Sequence, residues 1–142
     1  MADTSKGFRF RGRRSGGPAT IQNLYCKDTE TLSRGDMANL ESGEIDLGAA
    51  GDANFLGMIQ ETKAGTDSTT QFRVIVDADA IYGVYDANAR KKGDTLDISG
   101  TTGAQTIAAS SGKEFVVYAD SGADEETLVC FNTGKHVDNK AQ

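Results

Sequence analysis

Short apolar runs alternate with turn residues along most of the chain, and the spacing is that of strands. Runs of strand length fall at 20–26, 45–47, 54–60, 71–76, 81–85, 96–98, 106–109, 114–118 and 128–131. Between them sit Ser42-Gly43, Ala50-Gly51-Asp52, Ala64-Gly65-Thr66-Asp67, Lys92-Gly93-Asp94, Ser99-Gly100, Ser111-Gly112 and Asp120-Ser121-Gly122. Gly reaches positive φ without strain, and Asp bonds its neighbouring backbone, so these are turn residues with a mechanism. Period-two alternation is clear in Phe72-Arg73-Val74-Ile75-Val76, where Phe72, Val74 and Val76 share a face. Phe115-Val116-Val117-Tyr118 is more uniformly apolar and suits a central strand. Helical signals are weak: 85–92 stops at Gly93, and 124–128 is about one turn long. The pattern predicts an all-β fold, a compact β-barrel or β-sandwich of about 8–10 short strands. Arg34-Gly35-Asp36-Met37-Ala38-Asn39-Leu40 echoes Lys92-Gly93-Asp94-Thr95-Leu96-Asp97-Ile98. The echo fits two similar turns, and it also fits two related halves of a barrel.

Residues 1–18 break the pattern. They are rich in Gly and Arg and end at Pro18, the single proline, a composition expected of a flexible, extended, basic arm. The expected organisation is therefore an arm at 1–18, one β-domain at 19–137 and a disordered tail at 138–142. Within the arm, Phe8-Arg9-Phe10-Arg11 alternates apolar and basic side chains, so an extended chain places the two rings on one face. Such an arm suits strand addition to the sheet edge of a partner. Arginines interleaved with aromatics also suit single-stranded nucleic acid.

Charge decides between those partners. The first 34 residues hold seven basic and three acidic side chains, a balance of +4, whereas the rest carries −10. An acidic body repels phosphate outside the arm, which argues against nucleic acid as the main partner. Composition adds that the core is thin. Leu, Ile, Val and Phe make up 27 of 142 residues, or 19 %, while Ala and Gly contribute 17 each. A protein with so little large apolar surface gains from partners or self-association.

Candidate chemistry is sparse. A lone His136 excludes a multi-histidine metal site and argues against a histidine triad. Cys26 and Cys130 have no zinc spacing and read as buried thiols. No apolar run reaches the ~20 residues of a transmembrane helix, and the first 18 residues contain no apolar core of a secretory signal. Arg34-Gly35-Asp36 matches an adhesion tripeptide but sits where a turn is needed. Asp77-Ala78-Asp79 with Asp86 lacks the loop pattern of a calcium site and reads as a solvated turn. Asp124-Glu125-Glu126 reads as an acidic turn or helix start. Ser110-Ser111-Gly112-Lys113 and Thr133-Gly134-Lys135 lack the rest of a phosphate loop, and G-x-S-x-G is absent. The expectation is a non-enzymatic protein with no cofactor, no metal and no small-molecule substrate.

Gly35-Asp36, Leu47-Gly48-Ala49-Ala50-Gly51-Asp52, Phe55-Leu56-Gly57, Ser68-Thr69-Thr70, Tyr82-Gly83-Val84, Gly93-Asp94-Thr95-Leu96-Asp97-Ile98 and Gly103-Ala104-Gln105-Thr106 together resemble the head structural proteins of tailed bacteriophages. More narrowly, the body at about 20–137 resembles the small capsid decoration, or cement, proteins. The resemblance implies a homo-oligomer, a trimer before other states, on the outer capsid surface, made in the host cytoplasm and bound to the major capsid protein. It implies that each copy bridges capsid subunits and stabilises the expanded shell, with no role at a membrane. Phe8, Arg9, Phe10, Arg11, Arg13 and Arg14 are then the expected capsid-binding residues of the arm. The alternative is another virion or surface adhesion module, a fibre, tail or receptor- or glycan-binding β-domain, with Tyr25, Tyr82, Tyr85 and Tyr118 as its contacts.

Overall fold

A computed structural model describes residues 7–27, 30–63, 69–108 and 113–138. Eleven strands and no helix occur among them: β1 (Arg9–Arg13), β2 (Ile21–Tyr25), β3 (Met37–Glu41), β4 (Glu44–Leu47), β5 (Phe55–Met58), β6 (Gln71–Ile75), β7 (Ala80–Asp86), β8 (Thr95–Ser99), β9 (Thr106–Ala108), β10 (Phe115–Val117) and β11 (Glu125–Phe131). The all-β expectation holds. The nine runs seen in the pattern all form strands, and β1 and β3 are added to them. The two helical candidates do not form helices: 124–128 runs into β11, which pairs with β7 along five residues.

Six strands form one antiparallel sheet in the order β1-β7-β11-β10-β8-β9. Three form a second, β4-β3-β5, and two form a third, β2-β6. Isolated bridges tie the small sheets together, Ile59 to Val74 and Cys26 to Ile45. The strands surround an apolar interior without a continuous ladder, so the architecture is sandwich-like and no closed barrel forms. The large sheet curls as well. The Gly7 amide at one edge donates to the carbonyl of Gln105, next to the opposite edge, at 2.8 Å.

Two apolar clusters lie on either side of a shared wall made by β3, β5 and β6. Met37, Phe55, Met58 and Ile75 point to the cluster under the six-stranded sheet. Their neighbours Ala38, Leu56, Ile59 and Val74 point to the other cluster, with Phe72, Leu32 and Ile45. A strand buried on both faces reads as a continuous apolar run. That is why Phe55-Leu56-Gly57-Met58-Ile59 carries no alternation.

The first cluster is aromatic. Phe8 and Phe131 pack edge-on to Tyr82, and Phe55 and Phe115 pack against Phe131, with Phe8 at 5.3 Å from Phe115 and 6.4 Å from Tyr82 between ring centres. Tyr82 is fully buried, and burial pushes its phenol well above the ordinary value. Its hydroxyl reaches the wall and accepts the Met58 amide at 3.3 Å. Gly57 leaves the room for this. A Cβ there would lie 2.0 Å from the Ile75 carbonyl oxygen and 2.5 Å from the Tyr82 hydroxyl.

Side chains close the loops. Gln105 accepts the Met37 amide at 2.7 Å and donates to the Gly48 carbonyl at 2.7 Å. Glu114 accepts from Ile98 and Gly51 amides, and burial holds its carboxyl above the usual range despite them. His136 lies 2.7 Å from the Leu56 carbonyl through Nε2, while Nδ1 faces the Asp138 amide at 3.0 Å. A carbonyl can only accept and an amide can only donate, so Nε2 carries the proton and the ring is neutral. Burial favours the same form. This pins residues 135–137 beside β5, where the Phe55 amide donates to the Lys135 carbonyl and the Val137 amide donates to the Phe55 carbonyl.

Tyr82→Phe is expected to cost about 1–2 kcal/mol in urea unfolding, because the buried Met58 amide loses its acceptor. Gly57→Ala is expected to cost more, since the atom it meets is backbone. A neutral Gly57→Ala would show that the wall is not packed this closely.

Candidate functional site

The residues expected to form a free arm are built into the six-stranded sheet. β1 pairs with β7, matching Arg9 to Gly83, Phe10 to Tyr82 and, after a bulge, Gly12 to Ile81. Phe8 is 2 % exposed inside the aromatic cluster, its amide bonded to the Gly35 carbonyl at 2.8 Å. Phe10 is half-buried, edge-on to Tyr82. The flexible arm through Pro18 is thus corrected over residues 7–16, and Phe8 is a core residue rather than a surface contact. The physical reason is the alternation itself: Phe8 and Phe10 bury against Tyr82 once β7 offers an edge. Residues 1–6 and 139–142, the rest of the expected arm and most of the expected tail, lie outside the described residues.

Three of the four arginines are held by carboxylates of the body. Arg11 grips Glu126 in a two-point fork, Nε to Oε1 at 2.8 Å and Nη2 to Oε2 at 2.6 Å, and Arg9 approaches the same carboxylate at 3.5 Å. Glu126 belongs to β11, so its side chain crosses β7 to reach β1. It crosses at Gly83, where a Cβ would stand 2.4 Å from the carboxyl carbon. Arg13 bonds Asp79 at 2.8 Å and lies 3.5 Å from Asp77. Asp77 also accepts the Thr20 amide at 2.7 Å. Asp77 and Asp79 are therefore sockets for the incoming strand, not the solvated turn expected of them. Burial pushes the Asp79 carboxyl up, but hydrogen bonds from Ser15 and Arg13 outweigh it and bring it to about 2.

Arg14 is the exception. It is exposed beside a groove of about 490 Å³ on the outer face of the large sheet. Strand alternation builds the groove floor. Val129, Phe131, Phe115 and Val117 point into the core, so Cys130 and its partner Val116 point outward. Tyr118, 39 % exposed, forms one side with Lys92, and Asn132 and Thr133 form the other. Burial pushes the Cys130 thiol up, with Arg14 opposing, so it stays protonated at neutral pH. Neither cysteine is in a disulfide, and both are buried. Of the groove residues, the sequence reading singled out Arg14, Tyr118 and Cys130 separately. The Lys91-Lys92 pair in an acidic body was the available signal for the rest.

Other expected contacts fall differently. Tyr82 is buried, and the Tyr85 hydroxyl donates to Asp124 at 2.8 Å. Tyr25 is 49 % exposed on β2, on the same face as Ile21. The Arg34-Gly35-Asp36 tripeptide is not displayed: Asp36 is fully buried, accepting amides of Ser33 at 2.9 Å and Gly103 at 2.8 Å and the Thr102 hydroxyl. Among the described residues, no group of three or more His, Cys, Asp or Glu is placed to hold a metal ion, and no helix is long and apolar enough to cross a membrane. No protein-family model matches the chain, and no curated protein matches its sequence.

Two outcomes follow. Deleting residues 1–18 is expected to abolish cooperative thermal unfolding, since it removes an edge strand and opens the aromatic cluster; a truncated chain with the parent's melting curve would contradict this. Asp79→Asn is expected to lower stability at pH 7 by about 1–2 kcal/mol, reduced from the full shift because the pair is partly exposed. A carboxyl held low in the fold stabilises it above its ordinary pKa, and that contribution fades as pH falls from about 4 to about 2. Urea titrations at pH 7 and pH 2 should therefore differ for the parent more than for the variant.

Proposed function

We propose that the chain is a non-enzymatic virion structural protein that decorates the outer surface of a phage capsid. The observation that carries this reading is the use of its buried polar groups. Asp36, Glu114, Gln105 and His136 all hold backbone groups of loops and strand ends in place, which suits a protein selected for shape. The resemblance of the body to capsid decoration proteins points the same way. In this reading each copy bridges neighbouring subunits of the major capsid protein. Binding to the assembled lattice alone stabilises that lattice by mass action, and many copies turn weak single contacts into a strong sum. The N-terminal segment takes part as a folded, arginine-bearing sheet edge. Assembly as a homo-oligomer, with a trimer as the first state to test, belongs to the same proposal.

A second reading, an adhesion module that binds a receptor or glycan, is favoured by the exposure of Tyr25 and Tyr118. The two readings separate by co-sedimentation with expanded, undecorated heads of the phage that encodes the chain. Saturable pelleting at micromolar concentration is expected for a decoration protein. Absence of pelleting, together with a binding signal on a glycan array, would overturn it in favour of adhesion.

A further inference from the structure

The groove on the outer face of the large sheet is lined by two cations, Arg14 and Lys92. Among the described residues, no carboxylate forms an ion pair with Arg14 or Lys92. This sets Arg14 apart from Arg9, Arg11 and Arg13. It also matters in a chain of net charge −6, where acidic side chains outnumber basic ones. The two cations flank an outward apolar floor, Val116 and Cys130, with the half-exposed ring of Tyr118 beside it. Asn132 and Thr133 supply polar atoms at the far side. A volume of about 490 Å³ accommodates a few side chains.

The geometry points to this groove as the docking site for an acidic segment of a partner protein, with an apolar side chain on the floor and carboxylates at Arg14 and Lys92. Charge complementarity selects that occupant. A basic segment is repelled by both flanking cations. A nucleic-acid strand needs a continuous basic track, whereas this groove is lined by two cations only, Arg14 and Lys92. A purely apolar segment leaves both cations unanswered. Charged groups at the mouth chiefly set approach and specificity, and the desolvated floor sets the lifetime of the contact. The inference rests on the decoration reading for the source of the segment, the outer surface of the capsid protein, but the chemistry of the groove is independent of it.

Two experiments test it. In the first, the isotope-labelled full chain is titrated with an acetylated Asp-Leu-Glu amide, against Lys-Leu-Lys and Asp-Gly-Glu controls. Amide shifts confined to residue 14 and residues 92–93, 116–118 and 130–133 are expected with the first peptide. Binding should weaken at least tenfold in the Arg14→Glu/Lys92→Glu variant, whose two changes are at exposed positions and should leave the melting temperature in place. Shifts elsewhere, or equal shifts with the basic peptide, would overturn the proposal. In the second, the same variant is compared with the parent in pelleting with undecorated heads. Loss of pelleting supports the groove as the contact. Equal pelleting by both proteins would remove the groove while leaving shell binding standing. Peptide binding at the groove with no pelleting of the parent would remove the shell while leaving the groove.

Discussion

A wall that is buried on both faces governs this protein. β3, β5 and β6 separate two apolar clusters, so each must present hydrophobic side chains in both directions. Layers this close leave no slack. Tyr82 crosses the first cluster to the Met58 amide, and it can do so because residue 57 is Gly. The aromatic cluster, the seat of Phe8 and the closure of the C-terminal segment through His136 all pack against that wall. A chain with only 19 % Leu, Ile, Val and Phe gets a usable core by having one set of strands serve two interiors.

The charge asymmetry along the sequence has a structural meaning different from its face value. A basic leader and an acidic body look like two parts with separate partners. In the fold they neutralise each other: Glu126 takes Arg11 and Arg9, and Asp77 and Asp79 take Arg13. The ion pairs are partly exposed, so each adds modest stability. Their larger effect is to specify which edge β1 joins and in what register. Arg14, by contrast, forms no ion pair with a carboxylate among the described residues, and it lies with Lys92 at the groove on the outer face.

Recurrent Gly-Asp turns have a common construction. In each of Ser33–Asp36, Lys91–Asp94 and Ala49–Asp52 the last amide bonds the first carbonyl, and the Asp carboxylate accepts the first amide at 2.9 Å. The glycines before the aspartates have φ of 92, 94 and 93°. The echo between 34–40 and 92–98 is therefore a shared turn. β3 and β8, which follow, lie in different sheets, so it does not mark two halves of one barrel.

Alternation and turn residues were enough for the fold class and for nine strands, while the turns expected at 64–67 and 111–112 lie outside the described residues. Alternation and Gly-Asp turn chemistry are local, and they act the same way in any surroundings. β3 stayed hidden in the pattern because Met37-Ala38-Asn39-Leu40-Glu41 serves two interiors and one hairpin, so no single face repeats. The fate of residues 7–16 was decided by tertiary structure, because an alternating Phe-Arg segment is satisfied equally by a partner's edge or its own. Which of residues 9–14 find a carboxylate was also beyond local reading: it depends on Glu126 crossing β7 at Gly83 to reach Arg11, 115 residues away in the chain. The groove floor of Val116 and Cys130 exists because β10 pairs β11 in one register, and a slip of one residue would turn it inward.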